Sequence, residues 1–180
     1  MCDFIFEELQ HLKNPNVCDV GTGNGHLLFQ LLEEGFKGNM VGIDYSETSV
    51  QFAKDIAARK NYQVKFERSD VLHANDPFIS QNNEAFDLVL DKGTLDAIAL
   101  SNEQYENGLT GFQIYPYNVS KLIRRGGILL VTSCNFTQDE IYKHFTDSGK
   151  FKYFGKVDYP TLEFGGAKGS TICTVAFEKL

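Results

Sequence analysis

A short apolar run that leads into three alternating glycines constrains the fold of this chain more than any other feature of its sequence. Residues 16–20 read NVCDV, a run of strand length, and glycines follow as Gly21, Gly23 and Gly25. The leucine spacing over residues 26–34 predicts a helix directly after them. A strand, a glycine turn and a helix in this order are typical of the binding edge of an α/β sheet, because glycine lets a ligand lie against bare backbone.

Strands and helices alternate along the rest of the chain, which predicts a mostly parallel sheet with helices on both faces. Further strands are predicted at residues 40–43, 64–67, 86–90 and 128–132. Further helices are predicted after a Ser46 cap, over residues 119–125 up to Gly126, and after a Thr137 cap. Residues 151–154 and 172–177 are predicted to pair as terminal strands, with Gly165, Gly166, Gly169 and Ser170 in the loop between them.

The composition is that of one ordinary folded domain. The chain has 180 residues, of which 42% are hydrophobic and 23% are charged, and no linker or repeat is visible. We therefore expect a single domain over residues 1–180. The 24 acidic and 17 basic side chains give a net charge of −7. This charge disfavours binding to nucleic acid or to an anionic membrane, because like charges repel, and it is compatible with a basic protein partner.

No segment of the sequence predicts a membrane span or an export signal. No apolar run reaches the roughly 20 residues that cross a bilayer, and the start MCDFIFEELQ lacks the basic and apolar parts of a signal peptide. The four cysteines are scattered without a C-x-x-C pair, so we expect free thiols, a cytoplasmic location and no metal site. A monomer is expected.

The acid before the glycine turn distinguishes two kinds of ligand. Dinucleotide sites use G-x-G-x-x-G, whereas this chain has G-x-G-x-G and carries His26 where the third dinucleotide glycine is expected. Asp19 would repel a pyrophosphate and attract an ammonium group. S-adenosylmethionine carries such an ammonium beside a cationic sulfonium, so Asp19 favours that cofactor over NAD. The alternative is a plain glycine turn with a solvated aspartate.

An acid recurs at the ends of the next three predicted strands. Asp44 follows the second strand, where an acid can accept hydrogen bonds from a ribose diol. Asp70 follows the third and is suited to accept from an adenine amino group, while the backbone N–H of Val71 donates to the ring. Asp91 follows the fourth. Each acid alone is more often solvated than functional, but four in succession predict one ligand crevice.

With these residues the chain resembles the class I, seven-strand S-adenosylmethionine-dependent methyltransferases. More narrowly, it is similar to the lysine methyltransferases that act on translation elongation factor 1-alpha. The resemblance extends over nearly the whole chain and is carried by the segments DVGTGNG at 19–25, GIDYS at 42–46, DKGTLDAI at 91–98, TSCNFT at 132–137, and FGG at 164–166 with Gly169. The glycine segment is common to very many methyltransferases, whereas DKGTLDAI and TSCNFT are typical of a much smaller group of them.

The resemblance implies a three-layer, Rossmann-like sheet of seven strands with an antiparallel last strand. It also implies a cofactor site in which Asp19 and the loop Gly21, Thr22, Gly23, Asn24 and Gly25 hold the methionine part. Asp44 and Tyr45 would hold the ribose, Asp70 and Val71 the adenine, and Asp91 would lie between cofactor and acceptor. The candidate catalytic residues are Asp91, Asp96 and Asn135.

Two segments depart from the family pattern. About sixteen residues precede the first predicted strand, so we expect the N-terminal lid segment of the family to be short or missing. The loop YPTL over residues 159–162 has one proline where relatives tend to carry a second.

The expected reaction is methyl transfer to a protein lysine. The methyl group of a sulfonium is already activated, so the protein must mainly align the reactants and exclude water. Asp91 and Asp96 would orient the acceptor amine rather than act as strong bases, because a nearby anion raises a lysine pKa. Asn135 lacks the N-P-P-Y context of enzymes that methylate nucleic-acid bases.

Several alternatives stay open at this point. The same fold can methylate a small molecule or another protein residue, or serve as a non-catalytic cofactor-binding module. Thr94 and Asp96 can instead belong to the start of a short helix that runs through Leu100, and Lys92 can be merely solvated. Four aromatic residues can form either an acceptor wall or part of the core: Tyr105, Phe112, Tyr115 and Tyr117.

Overall fold

The structure, a computed structural model, contains a seven-stranded sheet between two layers of helices. It describes the chain apart from residues 74, 102, 106–107, 161, 165–166 and 170–171, and it describes only the backbone of residues 162–164 and 167–169. The helices are α1 Cys2–Glu8, α2 His26–Glu33, α3 Glu47–Lys60, α4 Pro77–Gln81, α5 Thr94–Leu100, α6 Gly111–Leu122 and α7 Gln138–Thr146. The strands are β1 Asn16–Val20, β2 Asn39–Asp44, β3 Lys65–Arg68, β4 Phe86–Lys92, β5 Ile123–Ser133, β6 Phe151–Val157, β7 Leu162–Phe164, β8 Ala167–Gly169 and β9 Cys173–Lys179.

The order of the strands in the main sheet is β3-β2-β1-β4-β5-β9-β6. The pairs from β3 to β5 are parallel, and β9 runs antiparallel to both of its neighbours. This confirms the predicted seven-strand, mostly parallel sheet with an antiparallel last strand. The chain order reverses between β1 and β4, and ligands of open α/β sheets bind at the carboxyl ends of the strands at such a point.

Each face of the sheet is covered by its own group of helices. One hydrophobic cluster joins the sheet to α4, α5, α6 and α7, and the other joins it to α1, α2 and α3. Central strand residues such as Leu90 and Val131 are fully buried, as expected for parallel strands covered on both sides. The predicted caps are confirmed, because Ser46 accepts from the N–H of Ser49 and Thr137 forms a capping box with Glu140.

The predicted helix over residues 119–125 is wrong at both ends. The helix α6 begins at Gly111, after a Thr110–Gln113 capping box, and ends at Leu122. Its start was missed because Pro116, which usually interrupts a helix, lies inside it. At the other end, Ile123 is fully buried and pairs with Phe86 of β4, so pairing in the sheet overrides the local helical pattern.

Four short elements of the described structure had no predicted counterpart: α1, α4, β7 and β8. The helices α1 and α4 are short, and the β7–β8 hairpin lies inside the predicted loop between the terminal strands β6 and β9. Of the loop residues predicted there, Gly169 ends β8, whereas Gly165, Gly166 and Ser170 lie outside the described residues. Within the described part of the chain, no helix has the length and apolar character needed to cross a bilayer.

Candidate functional site

A cavity of about 400 Å³ opens at the carboxyl ends of β1, β2 and β4, beside the point where the strand order reverses. We call it the first cavity. Its volume falls within the range of small-molecule sites. Five of the predicted cofactor residues line it: Gly21, Asp44, Tyr45, Asp70 and Val71.

Of the glycine loop, Gly21 lines the first cavity, whereas the predicted cofactor residues Thr22, Gly23, Asn24 and Gly25 do not. The loop needs glycine for two different reasons. A Cβ atom at Gly21 would lie 2.1 Å from Thr94 Oγ1, and that hydroxyl donates to the Val20 carbonyl at 2.6 Å. Gly21 therefore allows α5 to approach β1 closely. Gly23 has φ of +56°, and a Cβ atom there would meet no described heavy atom within 4 Å. The space over Gly23 is thus open to a ligand.

The carboxylate of Asp44, which lines the first cavity, is held in place by two backbone N–H groups. Its Oδ2 accepts from the N–H of Gly23 and its Oδ1 accepts from the N–H of Ser46, both at 2.9 Å. Asp44 is largely buried, whereas Tyr45 stands at the mouth with 72% of its surface exposed. Each carboxylate oxygen keeps a further lone pair, so Asp44 can accept hydrogen bonds from a diol in the cavity.

Asp70 and Val71 offer one acceptor and one donor at the far end of the first cavity. Asp70 Oδ1 accepts from the N–H of Leu72 at 3.0 Å, and its Oδ2 lies 3.4 Å from His73 Nε2. The backbone N–H of Val71 has no protein acceptor among the described residues. An available donor next to a carboxylate matches the edge of an adenine ring.

Asp19 lies behind the wall of the cavity rather than on its surface. It is 3% exposed and accepts a hydrogen bond from Thr22 Oγ1 at 2.7 Å. Burial raises the pKa of its carboxyl from the ordinary 3.8 to about 7, the Thr22 hydrogen bond opposes this rise, and the nearby charges of Asp91 and Asp44 add to it. A cation bound in the cavity would stabilise the ionised form of Asp19.

Asp91 is completely buried and its oxygens are occupied by the protein itself. It accepts from the Tyr115 hydroxyl at 2.7 Å, from the N–H of Thr94 at 2.8 Å and from the N–H of Leu95 at 3.1 Å. The carboxylate therefore holds the start of α5, where Gly93 is the cap residue and Thr94 the first helical residue. Burial raises the pKa of Asp91 to about 6, and these hydrogen bonds oppose the rise.

The two other candidate catalytic residues lie toward the other half of the sheet edge. Asp96, only 9% exposed, accepts from the Ser133 hydroxyl and, at 2.9 Å, from the N–H of Cys134. Asn135 is exposed and lines a cavity of about 410 Å³, the second cavity. Other residues that line the second cavity include Cys134, Phe136, Lys156, Tyr159 and Thr174.

Several residues that line the first cavity were not assigned to it from the sequence. Lys92, Thr94, Ala97 and Ile98 line the cavity, and the DKGTLDAI segment that contains them was the signal that pointed there. Ser69, Leu72, Ser101 and Glu103 also line it, and no sequence pattern distinguished them.

The four aromatic residues do not form a common acceptor wall. Tyr105 is half-buried in the first cavity, with its ring 5.7 Å from that of His73. Tyr115 belongs to the core, Phe112 stacks on Phe136 and on His144, and Tyr117 is exposed.

The sequence of this chain matches a known family model over most of its length. The model describes a methyltransferase domain and matches residues 11–172. The chain belongs to the methyltransferase family. The family membership predicted from the glycine loop and the narrower segments is thereby confirmed.

The relatives of this methyltransferase include proteins named for lysine methylation. It is 40% identical to protein-lysine N-methyltransferase EFM4 of Saccharomyces cerevisiae, over 99% of this chain and 78% of that protein. It is 39% identical to efm4 of Schizosaccharomyces pombe, over 96% of this chain and 73% of that protein. It is 31% identical to human EEF1A lysine methyltransferase 2, over 93% of this chain and 66% of that protein.

Solved structures share the fold of this methyltransferase at low sequence identity. A SAM-dependent methyltransferase from Aquifex aeolicus superposes with a TM-score of 0.72 at 15% identity, over 99% of this chain and 89% of that one. One from Methanosarcina mazei gives 0.71 at 15% identity, over 96% of both chains. These likenesses confirm the three-layer fold.

Proposed function

We propose that this methyltransferase transfers a methyl group from S-adenosylmethionine to a lysine side chain of translation elongation factor 1-alpha. The observation that carries the proposal is the first cavity, which is lined by Gly21 of the glycine turn and by the fixed carboxylate of Asp44, with the buried acid Asp19 behind its wall. These groups suit a cationic nucleoside. The lysine acceptor and its protein are proposed from the names of the relatives, which match nearly the whole chain.

In this proposal each part of the cofactor has its own residues. The methionine part lies on the loop from Gly21 to Gly25, whose shape is held by the Gly25 N–H donating to the Thr22 carbonyl and by Asn24 Oδ1 accepting from the His26 N–H. Asp44 and Tyr45 hold the ribose, and Asp70 with Val71 holds the adenine. Asp19 and Asp91 supply negative charge from behind the wall. When bound, the cofactor supplies an activated methyl group on a cationic sulfur.

The protein's own part in the reaction is to orient the acceptor amine and to keep water away from it. The acceptor must arrive as a free amine, although its ordinary pKa is about 10.4. Desolvation in the cavity lowers that pKa, whereas the buried charges of Asp91 and Asp96 raise it. Because the oxygens of both acids are bound by protein groups, we assign Asp91 and Asp96 to electrostatic stabilisation and to holding the elements around the site. We assign Asn135, which is exposed at the second cavity, to contact with the acceptor segment.

The proposal also covers the compartment in which the protein works. Cys2, Cys18, Cys134 and Cys173 are all free thiols, which suits a reducing compartment such as the cytoplasm. We propose that the chain works there as a monomeric, single-domain enzyme. The described residues contain no cluster of three or more side chains suited to hold a metal ion, and the proposed reaction requires none.

The direct test combines the full chain with methyl-labelled S-adenosylmethionine and purified elongation factor 1-alpha. We expect label in a lysine of the factor, identified by mass spectrometry of its peptides. An Asp44→Asn variant should lose transfer, whereas Asp55→Asn, which changes an exposed helix residue away from both cavities, should retain it.

Other outcomes of the same experiment separate the alternatives. Label in another residue or in a small molecule would redirect the substrate while keeping the reaction. Cofactor binding by calorimetry with no transfer to any extract component would indicate a binding module and would refute the proposal.

A further inference from the structure

The buried serine at the end of β5 links the two cavities. Ser133 is 1% exposed and is the last residue of β5. Its hydroxyl donates to Asp96 of α5 and accepts from the N–H groups of Asn135 and Phe136, both at 3.0 Å. The other oxygen of Asp96 accepts from the N–H of Cys134. One carboxylate and one hydroxyl therefore bind three successive backbone N–H groups.

These hydrogen bonds join elements that line different cavities. Thr94, Ala97 and Ile98 of α5 line the first cavity, and residues 134–136 line the second. Asp96 belongs to the same helix but faces the other way, toward residues 134–136. The pair Ser133 and Asp96 thus connects a helix that lines the first cavity to the segment that lines the second, in addition to the pairing of β4 with β5.

The hydrogen-bonding capacity of the Ser133 hydroxyl is fully used. A serine hydroxyl has one proton and two lone pairs; at Ser133 the proton goes to Asp96 and the lone pairs accept from Asn135 and Phe136. An amide at position 96 would direct its NH2 either toward a hydroxyl oxygen that has no lone pair left or toward the N–H of Cys134, which is itself a donor. Only an acid at position 96 satisfies every partner.

We propose that Ser133 is a positioning residue: through Asp96 it holds residues 134–136 against α5, so that a protein acceptor in the second cavity is aligned with the methyl donor in the first. This inference rests on the proposed function, because it assumes a protein acceptor. Small displacements of aligned reactants cost rate steeply, with roughly 100-fold losses for about 1 Å.

The test compares Ser133→Ala with a matched control, Ser120→Ala. Ser120 is also a buried serine, but its hydroxyl donates to the Tyr117 carbonyl within α6. We expect Ser133→Ala to lower kcat/KM for elongation factor 1-alpha by roughly 10- to 100-fold, with the cofactor Kd changed by less than about twofold. The control should leave kcat/KM for the protein acceptor near the native value.

Two further measurements separate positioning from loss of structure. The amide protons of Asn135 and Phe136 should exchange faster in Ser133→Ala, whereas that of Gly23, which donates to Asp44, should not change. An Asp96→Asn variant should reproduce the loss, and the double variant should be little worse than either single one, because both break the same connection.

Two outcomes would refute the positioning role of Ser133, and a third would refute the proposed function instead. Native kinetics for Ser133→Ala and Asp96→Asn would refute that role, as would an equal loss of cofactor affinity. A native chain that transfers no label to elongation factor 1-alpha would refute the proposed function instead.

Discussion

Replacing Asp19 by asparagine separates the charge of this buried group from its size. Asparagine keeps the volume and an oxygen that can accept from Thr22, but it cannot ionise. The pKa of Asp19 is raised from 3.8 to about 7, which corresponds to roughly 4 kcal/mol against the ionised form in the folded protein. The charge of Asp19 thus destabilises the free fold.

The sign of the pH dependence follows from the two states. The unfolded chain loses the Asp19 proton near pH 4, whereas the folded chain keeps it until about pH 7. The folded state therefore binds more protons across this window, and stability falls as the pH rises through it. Between pH 5.5 and 8 the native chain should lose roughly 2 kcal/mol from this group, which is about 4–8 °C in Tm.

The assay is thermal unfolding of the cofactor-free protein at pH 5.5 and pH 8. Between pH 5.5 and pH 8, we expect the Tm of Asp19→Asn to fall by less than that of the native chain, because position 19 no longer ionises. The exposed control Asp55→Asn should behave like the native chain. Asp91 has a raised pKa of its own and contributes a decrease of the same sign in all three proteins, so the Asp19→Asn profile should be shallower than the native one rather than flat. Parallel pH profiles for the native chain and Asp19→Asn would refute the reasoning.

Cofactor affinity should depend on pH in the opposite direction to stability, because the ionised form of Asp19 attracts a cationic ligand. The ionised fraction of a group with a pKa of about 7 rises roughly tenfold from pH 6 to pH 8. The ratio of native to Asp19→Asn affinity for S-adenosylmethionine should therefore rise by up to about tenfold over that range, as measured by calorimetry. The ratio removes any titration of the ligand, which both proteins share.

Three further substitutions test the glycine loop, the start of α5 and the buried carboxylate of Asp91. Gly23→Val should abolish cofactor binding in a calorimetric titration while the chain still folds, at a backbone cost of about 1–2 kcal/mol from its positive φ; loss of the folded circular dichroism spectrum would contradict this. Thr94→Val removes the hydrogen bond to the Val20 carbonyl and should lower Tm by roughly 2–4 °C, for a loss of about 1 kcal/mol. Tyr115→Phe removes a donor to Asp91 and should cost about 1–3 kcal/mol in urea unfolding at pH 8. The cost should be smaller at pH 5, where Asp91 holds its proton in the folded state; an equal cost at both pH values would contradict the assignment.

Local patterns in the sequence predicted most of the secondary structure and several of the residues that line the first cavity. The glycine turn after β1 and the acids at the ends of β2 and β3 are local features, and the parallel arrangement of strands brings them to one edge. This is why Gly21, Asp44 and Asp70 were predicted from the sequence and lie together around the first cavity.

Predictions from local patterns failed where contacts between distant parts of the chain decide the structure. Ile123 was predicted to be helical, but its pairing with Phe86 makes it part of β5. In the same way, the strand-end pattern pointed to Asp91 and the family resemblance pointed to Asp96, but only the folded chain brings Tyr115 to the first and Ser133 to the second.

The amino-acid order by itself determined an α/β sheet, a cationic nucleoside as the expected ligand and the acids that would recognise it, because glycine conformation and charge are local properties. Tertiary structure decided which of those acids line the cavity and which are buried behind it. It also decided how α5 joins the two cavities, since burial and hydrogen bonding depend on residues far apart in the sequence.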